Sequence, residues 1–303
     1  MADLNQQFLY SILIITLGYI LKRTNILKEH DGEGLARIIF NITLPALIIT
    51  AFHDIEIDIS LFLLVIIGIF YGIFAAFLSL YFFRKENRTT KGMLSMMLPG
   101  FNIGLFAYPL VEGIWGDEGI KYFGMLDVGN AFIVFGLIYI IGGFYSADNV
   151  KMNVKYVVGT MAKSIPLMTY MVVFLLNIFG FSLPKLVLQT SSIISNANMP
   201  MSLLLLGIYL NFTFDETYAR LIRKFLTIRY VVGLSVGLIF YVFLPVEDMI
   251  KNTLLIGLIL PVATSVLPYS IEFGYNPKFA GMVSNITLVI SFLFIWAMAN
   301  ILI

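Results

Sequence analysis

Leu98-Pro99-Gly100-Phe-Asn102-Ile-Gly104-Leu-Phe-Ala-Tyr108-Pro109-Leu110 is the stretch that decides the fold. It is apolar enough for a membrane, yet two prolines, two glycines and an asparagine interrupt it. A proline inside a helix removes one backbone donor and clashes with a preceding carbonyl. In lipid the freed polar groups must be met by protein or by a water-lined cavity. A second stretch, Leu260-Pro261-Val-Ala-Thr264-Ser265-Val-Leu-Pro268, repeats the punctuation. One such proline reads as a kink. Two at corresponding places in two halves read as a paired interruption, which points to a transporter site.

Working outward, the composition places the chain in a bilayer. Of 303 residues, 59% are hydrophobic and 12% charged, against roughly 25% charged in soluble domains. So few charges could not cover a soluble surface of this size. There is no cysteine, which excludes disulfides, thiolate nucleophiles and cysteine-zinc sites. The two histidines, His30 and His53, fall in loops or at helix ends, so no metal site or histidine proton relay is expected. A net charge of +1 suggests no nucleic-acid partner.

A helix needs about 20 mostly apolar residues to cross a bilayer. Ten stretches approach or meet that length: Leu4–Leu21, Ile38–Phe52, Ile59–Phe83, Gly92–Val111 and Tyr122–Ala147, then Ser164–Pro184, Leu186–Phe214, Tyr230–Val246, Asn252–Ile271 and Phe279–Ile303. None alternates like the strands of a barrel. The first lacks a basic leader and a cleavage site, so it is expected to remain as helix 1. Of the 19 basic residues, 16 fall in loops after odd-numbered helices, with Arg229, one residue ahead of the eighth stretch, counted among them. Only Lys121, Lys185 and Lys251 fall on the other side. Positive loops face the cytoplasm, so a multi-pass protein of the inner (plasma) membrane with both termini outside is expected. The acidic group Asp54, Glu56 and Asp58 reads as a solvated outer loop.

The chain also repeats itself. Asn41 and Pro45 in helix 2 correspond to Asn196 and Pro200 in helix 7, each displaced by 155 residues. Gly129-Asn130 and Ser284-Asn285 carry the same offset, while Pro99/Pro261 and Pro109/Pro268 are displaced by 162 and 159. Each half holds five helices, and an odd number makes the second half enter from the opposite side. The expected fold is therefore an all-α membrane protein of ten transmembrane helices. Residues 1–147 and 148–303 form two inverted five-helix repeats, with broken helices 4 and 9 crossing.

Where they cross, half-helix N-termini offer free N–H groups and partial positive charge, which suits a carboxylate. The candidate substrate site is Gly100, Asn102, Gly104, Tyr108 and Pro109 with Thr264, Ser265, Pro268 and Tyr269. No lysine or arginine is expected at midplane depth to pair with the anion. Asp127 is the sole charge expected inside a span. It shares a helix face with Asn130, three residues on, while its repeat mate is Met282. Intramembrane carboxylates are functional by default, so Asp127, with Asn130, Asn285 and Glu272, is a candidate to bind a coupling proton or Na⁺. Asn41, Asn196 and Asn198 on helices 2 and 7 are candidates to line the site. No other cofactor is expected.

These motifs carry a resemblance. Pro99 to Leu110, with asparagine seven residues before the second proline, resembles helix 4 of the auxin efflux carrier family. Leu260 to Pro268, followed by Tyr275-Asn276, resembles its helix 9, and Asn198-Met-Pro200 with Leu203 to Gly207 is similar to its helix 7. The resemblance covers essentially the whole chain. It implies a crossover fold related to bile-acid sodium symporters. Helices 1, 2, 6 and 7 would form a dimerising scaffold, and helices 3–5 and 8–10 a transport domain that moves like an elevator. It also implies a small organic anion as substrate: auxin in plant members, malate- or malonate-like carboxylates in bacterial ones. The long hydrophilic loop of plant carriers is replaced here by Asp148–Lys163, as in a short-loop bacterial chain. A ligand-binding membrane sensor is the second reading. An intramembrane enzyme is disfavoured for want of a nucleophile or metal constellation.

Overall fold

A chain in lipid must satisfy its main-chain groups internally, and this one does so with helices. The computed structural model describes residues 2–53, 59–146, 154–211 and 215–302. Among them, six helical segments are long and apolar enough to cross a membrane: Asp31–Phe52, Ser60–Phe82, Ile103–Tyr145, Lys185–Tyr209, Glu216–Phe243 and Pro277–Ile301. Ile165–Ile178 is a shorter apolar helix. Asp54, Glu56 and Asp58, residues 147 to 153 of the mid-chain connection, and residues 212 to 214 lie outside the described residues.

The first half comprises α1 (Ala2–Arg23), α2 (Asp31–Ile38), α3 (Leu44–Phe52), α4 (Ile59–Phe82), α5 (Arg88–Met97), α6 (Tyr108–Phe132) and α7 (Ile138–Tyr145). Single π-helical turns at Ile39–Thr43, Ile103–Ala107 and Ile133–Leu137 join α2 to α3, lead into α6, and join α6 to α7. The 43-residue run Ile103–Tyr145 is about 65 Å long at helical rise, twice the hydrocarbon core. It turns at Gly116, whose φ of 61° and ψ of −144° only glycine adopts cheaply. The second half comprises α8 (Val154–Lys163), α9 (Ile165–Ile178), α10 (Lys185–Ser195), α11 (Asn198–Tyr209), α12 (Ala219–Phe243), α13 (Asp248–Gly257), α14 (Val266–Glu272) and α15 (Pro277–Leu302).

Small residues set the closest helix approaches, as expected where lipid supplies no hydrophobic drive for association. A Cβ on Gly207 of α11 would stand 2.0 Å from the Ile15 carbonyl oxygen of α1. One on Gly233 of α12 would stand 2.2 Å from the Leu258 carbonyl oxygen that follows α13, and Gly237, one turn on, meets Leu255.

Buried apolar residues form two clusters. One contains Phe52, Phe101, Ile103, Phe123, Leu126, Leu254 and Leu260. The other contains Met97, Leu98, Ile138, Val262, Ala263, Phe273 and Phe279. Both helix interruptions run through their boundary. At one end of the bundle, basic side chains fasten neighbouring segments. Lys224 donates to the Phe82 carbonyl at 2.8 Å, Arg88 to the Phe144 carbonyl at 2.5 Å, and Lys22 to the Leu210 carbonyl.

Candidate functional site

α5 ends at Met97 and the chain runs open to Asn102; α13 ends at Gly257 and helix resumes at Val266. The two open segments lie against each other, with Phe101 and Val262 paired antiparallel. The Asn102 N–H donates to the Pro261 carbonyl at 3.0 Å. Buried main-chain groups need partners, and side chains supply the rest. The Asn130 amide takes both groups of Phe101: its Oδ1 accepts the Phe101 N–H at 2.9 Å, and its Nδ2 donates to the Phe101 carbonyl at 3.0 Å. On the other strand the Thr287 hydroxyl accepts the Val262 N–H at 3.2 Å. Asn102 is 4% exposed, and its Oδ1 accepts the Leu105 N–H at 3.3 Å, capping the turn that leads into α6.

The sequence places Pro109 and Pro268 inside the helices they break. In the structure Pro268 sits in the first turn of its second half, α14, whereas Pro109 follows the π-helical turn Ile103–Ala107 and lies inside the run Ile103–Tyr145. At Pro268 a missing N–H costs nothing, because the first N–H groups of a helix have no intrahelical partner; at Pro109 the ladder is already irregular, since a π-helical turn precedes it. Pro99 and Pro261 lie in the open segments themselves. The two second halves differ. Ile103 opens a long helical run, whereas α14 has only seven residues, so the aligned peptide dipoles are lopsided.

Gly100 and Gly104 allow close contact. A Cβ at Gly100 would lie 3.1 Å from Val134 and 3.2 Å from Ala263, and one at Gly104 would lie 3.2 Å from Leu44, preceding the helix-2 proline. Thr264 and Ser265 are half-buried across the break, and Ser265 Oγ has no protein partner. Tyr269 packs instead in an aromatic group with Tyr139, at 5.1 Å between ring centroids, and Phe273.

Asp127 joins this assembly. One carboxylate oxygen accepts from Tyr108 Oη at 3.1 Å and the other from Asn130 Nδ2 at 3.2 Å. Tyr108 also bonds the Tyr170 hydroxyl of α9. A chain of contacts therefore runs from the interruption through Asn130, Asp127 and Tyr108 to a neighbouring helix. Asn198 is fully buried; its Oδ1 accepts from Thr43 Oγ1 at 3.0 Å, and its Nδ2 is unpartnered. Other candidates are not brought here. Asn41 is exposed and bonds Arg37 of its own helix. Asn196 is exposed at the end of α10. Asn285 donates to Gly281 one turn back. Glu272, exposed at the end of α14, accepts from Tyr139. Thr287, two residues beyond Asn285, takes the position against the break.

The expectation that no basic side chain reaches the site is overturned by Arg229. It lies at the centre of the segment Glu216–Phe243 and is 3% exposed. Its guanidinium donates to the Leu98 carbonyl at 2.6 Å, the Gly100 carbonyl at 3.0 Å and the Leu260 carbonyl at 2.8 and 3.2 Å. The sequence holds a signal for this. A span beginning at Tyr230 is short, and extending it backward takes in Arg229 ahead of the Gly233-x-x-x-Gly237 packing pair.

Among the described residues no cluster of three or more histidine, aspartate or glutamate side chains could hold a metal ion. Residues 6–158 match the family model described as membrane transport protein. The chain is 26% identical over 309 residues to an uncharacterized transporter of Methanocaldococcus jannaschii, covering 95% of this chain and 97% of that one. It is 25% identical over 241 residues to an uncharacterized transporter of Methanothermobacter thermautotrophicus, covering 76% and 77%. Apolar spanning helices, two paired helix interruptions and these matches agree: the chain belongs to the membrane transport protein family, that of the auxin efflux carriers its motifs resemble.

Proposed function

We propose that this protein is a secondary transporter of a small organic anion, of malate or malonate size or an auxin-like acid, working by elevator-type alternating access. The antiparallel contact between the two helix interruptions carries the reading. Asn102, at the start of the long helical run, bonds Pro261, and Gly100 lies against Ala263, next in sequence to Thr264 and Ser265. Main-chain N–H groups at such a start attract a carboxylate, and the unpartnered Ser265 hydroxyl offers a further donor.

Two contacts support a ten-helix inverted repeat with crossed helices 4 and 9. Thr43 and Asn198 are bonded and stand 155 residues apart, the offset of the sequence repeat. Phe101 and Val262, paired in the breaks, lie between proline pairs of corresponding offset. Positions related by a pseudo-two-fold meet only near its axis, so contacts between repeat mates mark where that axis passes. In this reading helices 1, 2, 6 and 7 are the scaffold of a homodimer and helices 3–5 and 8–10 the moving body. Both termini lie outside an inner membrane.

The test is counterflow of labelled malonate and malate in proteoliposomes, beside thermal-shift measurements with the same acids. Exchange by the wild type, with binding weakened about tenfold or more in Asn102→Ala, is expected. Stabilisation by a carboxylate without any counterflow would favour a ligand-binding sensor. Stabilisation by cations or neutral sugars and by no carboxylate would refute the substrate class.

A further inference from the structure

We infer that the carbonyls at the two helix breaks form a monovalent-cation cradle, which Arg229 fills with its own tethered guanidinium, so that the crossing takes up no free sodium ion. α5 and α13 both end here, and the last carbonyls of a helix have no intrahelical partner. Each helix C-terminus carries about half a negative charge, so two converging ends amount to roughly one. In transporters with discontinuous helices, such unwound carbonyls are where Na⁺ is coordinated. Here Leu98, Gly100 and Leu260 turn their oxygens on one guanidinium, through four hydrogen bonds of 2.6 to 3.2 Å.

Among the described residues no carboxylate pairs with Arg229, and a buried charge without compensation is strongly destabilising. The Phe101 ring, 4.9 Å from the guanidinium carbon, closes one face of the cradle and adds a cation–π contact. Gly233 sets the reach. Its missing side chain lets α12 lie against the Leu258 carbonyl one turn from Arg229, so the guanidinium arrives at Leu260 without a longer stem. Lysine could supply the charge but not the planar fork that serves several acceptors at once.

The consequence for coupling rests on the transporter reading and assigns Asp127 a proton rather than sodium; the cradle rests on geometry alone. Thermal unfolding followed by tryptophan fluorescence, which needs no substrate, separates the two. The purified full chain is measured at constant ionic strength in choline, sodium or millimolar methylguanidinium chloride. The wild type should unfold within about 1 °C in all three. Arg229→Ala and Arg229→Met should unfold on the order of 5–10 °C lower in choline, regain most of the loss with methylguanidinium and part of it with sodium. Arg229→Lys, which keeps the charge and loses the fork, should unfold between the wild type and the alanine variant in choline. If the alanine and methionine variants survive purification only with methylguanidinium present, or if Arg229→Lys alone survives, the cradle stands. Alanine and methionine variants as stable as the wild type, or lowered but no more responsive to either cation than it, would overturn the inference. So would loss of all three variants with methylguanidinium present throughout.

Discussion

Asn130 and Asn285 stand 155 residues apart, the offset of the proposed repeat, yet of the two Asn130 bonds a helix break and Asn285 bonds its own helix. Asn130→Ala removes the partner of both the Phe101 N–H and the Phe101 carbonyl, in a residue 5% exposed. An orphaned buried group costs about 1–3 kcal/mol, so two cost about 2–6 kcal/mol, and Asp127 loses a donor besides. At about 2–4 °C per kcal/mol for a chain of this order of size, the unfolding temperature should fall by roughly 5–20 °C. Asn285→Ala removes one bond to Gly281 within its own helix and should cost less than about 1 kcal/mol. Asn130→Asp keeps an acceptor for the Phe101 N–H but turns a second oxygen on the Phe101 carbonyl and on Asp127, so it should recover less than half of the loss. The assay is tryptophan-fluorescence unfolding in detergent, reported by Trp115 and Trp296. Equal unfolding temperatures for Asn130→Ala and Asn285→Ala would refute the claim that Asn130 holds the break together.

Gly233→Ala should destabilise by about 1–3 kcal/mol, since the new Cβ meets a backbone oxygen at 2.2 Å, while Gly281→Ala, with nothing within 4 Å, should be neutral or slightly stabilising in the same unfolding assay. Asp127→Asn mimics a permanently protonated carboxyl. It should retain substrate exchange in proteoliposomes and lose accumulation driven by a proton gradient; gradient-driven uptake equal to wild type at every pH would remove Asp127 from coupling. Because the chain has no cysteine, single cysteines can report orientation. Those placed between Arg84 and Lys91, or between Asp215 and Lys224, should resist a membrane-impermeant thiol reagent added to intact cells. Labelling there from outside would reverse the assignment of the termini.

The sequence alone determined what periodicity and composition determine. Long apolar runs with few charges must be membrane helices, because lipid leaves no cheaper way to satisfy a backbone. Prolines at 99, 109, 261 and 268, with Gly100 and Gly104, located the interruptions, since those residues alter the chain locally wherever they stand. What side chains do across the bundle was not legible, because it depends on partners distant in sequence. Asn285 matched Asn130 by offset, but Thr287 faces the break; a two-residue shift on a helix turns a side chain through about 200°. Pro109 and Pro268 were recognised, yet the open segments lie ahead of them: Pro268 falls in the first turn of α14, and Pro109 follows the helical turn Ile103–Ala107. Arg229 read as a loop charge because hydropathy assigns a lone arginine to water. Only the tertiary structure brought three carbonyl oxygens from residues 98, 100 and 260 around it, and that convergence is what lets a buried cation stay.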